Sequence, residues 1–104
     1  MTDQRGGPLS VDVDTSGVLV VHGDIDIAGG PTLDTYVVRS ENRMPIVLDL
    51  DDVDFIDSSG LRTLLTATRR ASERGTVVRL RNVGTTVRRM LQITGTANQF
   101  EIEE

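Results

Sequence analysis

Apolar and polar positions alternate near the start of the chain, Leu9, Val11 and Val13 against Ser10, Asp12 and Asp14. That is the period of a half-buried strand. Thr15-Ser16-Gly17 supplies turn chemistry, and the short apolar run Val18 to Val21 completes a predicted two-stranded hairpin. His22 to Ile27 leads out toward Gly29-Gly30-Pro31. Pro31 suits the first residue of a helix, where its missing N–H costs nothing. Leu33, Tyr36, Val37 and Met44 then fall on one helical face, with Asp34, Arg39, Glu41 and Arg43 elsewhere.

Pro45 to Leu50 reads as a strand buried on both faces, and Asp51 to Asp57 as a loop dense in carboxylates. From Ser59 the pattern turns helical, with Leu61, Leu64, Leu65, Thr68 and Ala71 inward and Arg62, Arg69, Arg70 and Glu73 outward. Gly75 stands where a helix-terminating glycine is preferred. Thr76 to Leu80 reads as a second buried strand. Val83, Val87, Met90 and Leu91 form another helical stripe ending near Gly95, and Phe100 and Ile102 alternate with glutamates in a terminal strand. The predicted order is β-β-α-β-α-β-α-β: an α/β unit with a mixed sheet flanked by amphipathic helices. The expected organisation is one domain over residues 1–104, with 1–8 as a flexible tail.

Composition narrows the function classes. The 104 residues suit one domain, and the absence of cysteine excludes disulfides, a thiol nucleophile and a Cys-containing zinc site. No apolar run approaches the ~20 residues of a membrane span. The opening MTDQRGGP has no secretory h-region, so a cytoplasmic, membrane-free protein is expected. Sixteen acids against eleven bases give a net charge of −5, and every base is arginine. With only three aromatic residues besides, this argues against a nucleic-acid partner. The lack of lysine removes Schiff-base chemistry and the phosphate-loop lysine.

The most informative stretch is Asp54-Phe55-Ile56-Asp57-Ser58-Ser59-Gly60-Leu61. It puts Asp57, Ser58 and Ser59 at a helix start, where backbone N–H groups lack partners. One reading is capping by these residues. Another is a phosphorylation switch, since a phosphoryl group at a helix N-terminus adds roughly −1.5 to −2 charge beside Asp57.

At these residues the chain resembles the bacterial anti-sigma-factor antagonists of the STAS superfamily, of the sporulation and general-stress type. The resemblance rests on Val20-Val21-His22-Gly23-Asp24-Ile25-Asp26, on Ile46 to Leu50 followed by Val53 to Leu61, on Gly75 to Leu80, and on Val83 to Leu91. It implies a binding module, not an enzyme, with no cofactor, no metal and no catalytic residue. Its implied partner is an anti-sigma factor that is also a serine kinase of the histidine-kinase-like ATPase fold. The unphosphorylated antagonist sequesters that kinase and frees the sigma factor. Phosphorylation of the first motif serine, here Ser58, releases it, and a PP2C-type phosphatase restores binding. Asp24, Asp57, Ser58, Ser59, Gly60 and Arg62 are the implied partner-binding residues, with Ser59 and Gly60 allowing close approach. Many family members have glycine where this chain has Arg62, which could meet an acidic partner, reach the phosphate, or be solvated. From Ser58 to Arg89 there are eight arginines and one acid, Glu73. That asymmetry fits either a solvated helix face or an interface for an acidic partner.

Three other readings compete. Asp49 and Asp51 resemble the nucleophile pair of aspartate-dependent, magnesium-requiring phosphatases, but no lysine and few later acids complete such a site. Asp49, Asp51, Asp52, Asp54 and Asp57 have the ligand type for a hard cation, though not the spacing of an EF-hand loop. A superfamily scaffold that binds without being phosphorylated is the third.

Overall fold

The computed structural model describes residues 8–40 and 45–103. Strands β1 (Ser10–Val13) and β2 (Leu19–His22) form the predicted hairpin. Its turn is held by the Asp14 carboxylate, which accepts from Ser16 N at 2.8 Å and Val18 N at 3.0 Å. Gly17 takes the positive φ of 86° that the turn requires. Helix α1 (Gly30–Arg39) begins around Pro31 and buries Leu33 and Val37. Met44, expected on the same face, lies outside the described residues, as do residues 1–7 of the expected tail.

Next come β3 (Ile46–Asp52), α2 (Ser58–Glu73), β4 (Val78–Arg81), α3 (Thr85–Ile93), a 3₁₀ turn over Ala97–Gln99 and β5 (Glu101–Ile102). The sheet order is β1-β2-β3-β4-β5, antiparallel only between β1 and β2. The α/β class and the mixed sheet are as the sequence predicts.

Two features differ from expectation. The strand read as Pro45–Leu50 continues to Asp52, so Asp51 and Asp52 belong to β3 and not to the following loop. Nor are β3 and β4 buried on both faces. Leu19, Leu48, Leu80 and Ile102 stand in one register row on the helix side, while Val20, Asp49 and Arg81 line the opposite face. Each of these strands alternates buried with half-buried residues. The buried residues of all three helices join the inward strand residues in one core. The strand order advances in one direction, and crossovers of uniform hand then place every helix on the same side. The result has two layers, a helix layer and a sheet whose other face is polar.

Cross-strand charge pairs occupy that polar face. Arg79 pairs with Glu101, and Arg81 Nε donates to Glu103 at 3.1 Å. Asn82 donates to Asp49 at 3.1 Å. His22 stands between two carboxylates, Nδ1 2.8 Å from Asp52 on β3 and Nε2 3.0 Å from Asp12 on β1.

Candidate functional site at the start of α2

The loops that leave β2 and β3 lie at the carboxyl ends of parallel strands, where open α/β sheets commonly place their sites. Backbone pairing continues beyond the strands themselves. Gly23 N donates to Asp52 O at 3.3 Å, Ile25 N to Phe55 O at 3.1 Å, and Asp57 N to Ile25 O at 3.2 Å. Ile25 and Ile56 form a parallel bridge, and both side chains are buried. The chain entering α2 is thereby fixed to the loop entering α1.

Asp57 has extended backbone, and its Oδ1 accepts from Gly60 N at 2.8 Å. This is an N-cap in the preferred geometry. Its carbonyl accepts from Leu61 N at 2.9 Å. Asp57 is thus a structural cap, whatever else it does. Gly60 is buried, and the space its side chain would fill holds the Ile25 backbone: an ideal Cβ there would lie 1.9 Å from Ile25 O. The close approach at this glycine is to the Ile25 backbone of the same chain.

Ser58 occupies the first helical position and is exposed, with no side-chain hydrogen bond among the described residues. Ser59 is half-buried and lines a groove of about 360 Å³ between α1 and α2, together with Ile27, Pro31, Arg62, Thr63 and Arg70. Arg70 is paired across the groove with Asp34 at 3.3 Å. Arg62 is exposed one helical turn beyond Ser58. Asp24 lies between β2 and Ile25 and is half-buried, with its Oδ1 enclosed and without a hydrogen-bond partner in the described structure.

Sequence reasoning passed over two residues here. Ile27 is 75% exposed and Phe55 48% exposed, large apolar side chains presented on the two loops that frame Ser58. Phe55 had a visible signal, an apolar residue in a polar turn and off the buried period of β3, whereas Ile27 continues the alternation of Val21 and Ile25 and its exposure had none. Exposed apolar side chains gathered about one spot mark interaction surfaces.

The five aspartates from 49 to 57 do not converge. Asp49 accepts from Asp51 N at 3.0 Å and from Asn82, Asp52 meets His22, and Asp57 caps α2. Among the described residues, no three His, Cys, Asp or Glu are grouped so that they could hold a metal ion. Asp49 lies on the polar sheet face, in register with Val20 and Arg81. No helix among the described residues is long and apolar enough to cross a membrane.

Comparison with known proteins places this geometry. An anti-sigma factor antagonist from Mycobacterium paratuberculosis is 28% identical, covering 90% of this chain and 82% of its own, with a TM-score of 0.70. SpoIIAA of Bacillus, solved in its phosphorylated form, is 18% identical with a TM-score of 0.65, covering 92% of this chain and 91% of its own. A sulfate transporter family protein from Wolinella succinogenes is 18% identical with a TM-score of 0.74, covering 86% of this chain and 84% of its own. The latter two likenesses show the shared fold. The family model for the STAS domain matches residues 9–104, and the chain belongs to the STAS domain family.

Proposed function

We propose that this protein is a cytoplasmic anti-sigma-factor antagonist, a binding module without catalytic activity whose affinity is set by phosphorylation of Ser58. The observation that carries this reading is the exposed Ser58 hydroxyl at the first position of α2, in a rigid frame made by the Asp57 cap and the Ile25 backbone. A kinase can reach such a hydroxyl without unfolding anything. Similarity to the Mycobacterium antagonist supports the partner class, and SpoIIAA demonstrates a phosphorylated member of this fold.

In the unphosphorylated state, exposed Ile27 and Phe55 offer apolar contacts on the two loops that meet at the start of α2. An anti-sigma factor with serine-kinase activity, of the histidine-kinase-like ATPase fold, docks there, with Asp24, Ser59 and Arg62 at the rim. Phosphorylation introduces roughly −1.5 to −2 charge. Asp57 is the neighbouring carboxylate, and its Oδ1 already accepts the Gly60 N–H. The phosphoryl group therefore meets a like charge at a helix start where the Gly60 N–H is already engaged. Burying it beneath a partner adds a desolvation cost. Each ~1.4 kcal/mol so lost weakens binding tenfold, which suffices for release without any change of fold. A PP2C-type phosphatase resets the state.

The test is incubation with a kinase-type anti-sigma factor of the source organism and Mg-ATP, followed by intact-mass and fragmentation analysis. A single phosphoryl group on Ser58, with binding lost in parallel, is expected. Ser58→Ala should bind constitutively and Ser58→Asp should not. An unmodified Ser58 beside a kinase active on another substrate overturns the switch and leaves a constitutive STAS scaffold.

A further inference from the structure

Beyond the serine, α2 continues for 16 residues, and one line along it is uncovered. Ser58, Arg62, Leu65, Arg69 and Ser72 recur at intervals of three and four, so they stand above one another on a single stripe. Arg62 and Arg69 are both exposed, and neither enters a hydrogen bond or ion pair among the described residues. This sets them apart from Arg70, Arg79 and Arg81, which face Asp34, Glu101 and Glu103. Two uncompensated cations on one line are conspicuous in a chain of net charge −5.

Alongside the stripe runs a second groove of about 620 Å³, which adjoins the one between α1 and α2 at Arg62 and Thr66 and is bounded on its far side by Thr76, Val77 and Gln99. Half-buried Leu65 and 45%-exposed Val77 give it an apolar stretch between the two arginines. Arg62 and Arg69 are seven residues apart, about 10 Å along the axis or two helical turns. Glu73 ends the positive line at the far end.

We propose that this stripe docks an acidic amphipathic helix of a protein partner, with carboxylates seven residues apart on Arg62 and Arg69 and an aliphatic side chain between them on Leu65 and Val77. The assignment follows from charge complementarity and matched repeat. Two α-helices laid side by side share the same two-turn spacing, and the groove supplies the apolar contact that such a helix needs on one face. The docking surface is that of the unphosphorylated chain, since a phosphoryl group on Ser58 would stand one turn from Arg62 on the same stripe.

The test is a titration of the full ¹⁵N-labelled chain, followed by amide shifts, with a hydrocarbon-stapled helix about four turns long. The peptide carries glutamates seven residues apart with leucine between them, and its control has glutamine for both glutamates. Saturable shifts should concentrate on Arg62, Leu65, Arg69, Val77 and Gln99 and weaken with added salt. Neutralising either side of the contact, by the control peptide or by Arg62→Gln with Arg69→Gln, should weaken binding about five- to tenfold. Both arginines are exposed, so the variant keeps its spectrum elsewhere. Equal binding of the control peptide, shifts that map to another face, or no saturable shift at millimolar peptide would each overturn the proposal. Tighter binding of a single-stranded oligonucleotide to the same amides would overturn it in favour of nucleic acid.

Discussion

The carbonyl oxygen of Ile25 lies 1.9 Å from where a side-chain carbon of residue 60 would stand, so the start of α2 and the loop before α1 meet through a glycine. The Asp57 N–H donates to the same oxygen at 3.2 Å. Adding a methyl group at Gly60 must push backbone against backbone, since no flexible side chain is there to yield. Gly60→Ala is expected to cost upwards of about 2 kcal/mol in urea unfolding. Gly75→Ala is a useful companion, because Gly75 has open space around it and only its φ of +78° to defend. That change should cost about 1 kcal/mol. If the two variants unfold at the same urea concentration, the packing account of Gly60 is wrong.

Replacing Asp57 separates its cap from the chemistry of its neighbour. Asp57→Ala removes the acceptor of the Gly60 N–H and should cost about 0.5–2 kcal/mol, whereas Asp57→Asn keeps most of the cap. Ser58→Ala, at an exposed position, should change stability by no more than about 0.5 kcal/mol. Thermal melts of the three variants check the ranking.

His22 predicts a pH dependence of known sign. Its hydrogen bond to Asp52, then that to Asp12, together with the negative charge of both carboxylates, outweighs partial burial and raises its pKa above the ordinary 6.5. The folded state therefore binds the proton more tightly than the unfolded chain. The stabilisation is fully present below about pH 6.5 and is lost as pH rises through the folded value. Because a third of the side chain is exposed, solvent tempers the effect. Urea midpoints between pH 5.5 and pH 8.5 should fall for the wild type relative to His22→Asn, across the range where carboxylates stay ionised. Parallel curves for the two proteins would remove His22 as the cause.

Ile27 and Phe55 distinguish a binding surface from a fold determinant. Both are exposed, so Ile27→Ser and Phe55→Ser should leave stability within about 0.5 kcal/mol of the wild type. If they contact the partner as proposed, each should weaken kinase binding by about 1–2 kcal/mol, five- to thirtyfold by calorimetry. Loss of stability without loss of affinity would reverse that assignment.

How much of this was legible in the chain follows from the range of each interaction. The element order, the Asp57 cap and the glycine stop at Gly75 arise from contacts within four or five residues, so local periodicity and residue chemistry determine them. Ser58 at the head of a helix is legible for the same reason. What only the tertiary structure decided are relations over longer separations. Asp52 lies 30 residues from His22, and Ile25 is joined to Gly60 across the β2–β3 boundary. Neither pairing has a local signature. An apolar run such as Ile46-Val47-Leu48 reads as a strand covered on both sides, yet whether a second layer of helices exists depends on the direction in which successive strands are added. Here they are added in one direction, so the helices share one face and the other carries charges. The same distinction applies to function. The sequence determines that Ser58 stands at the head of a helix, while the folded chain decides which apolar and cationic groups surround it, because those groups come from separate loops and from successive turns of α2.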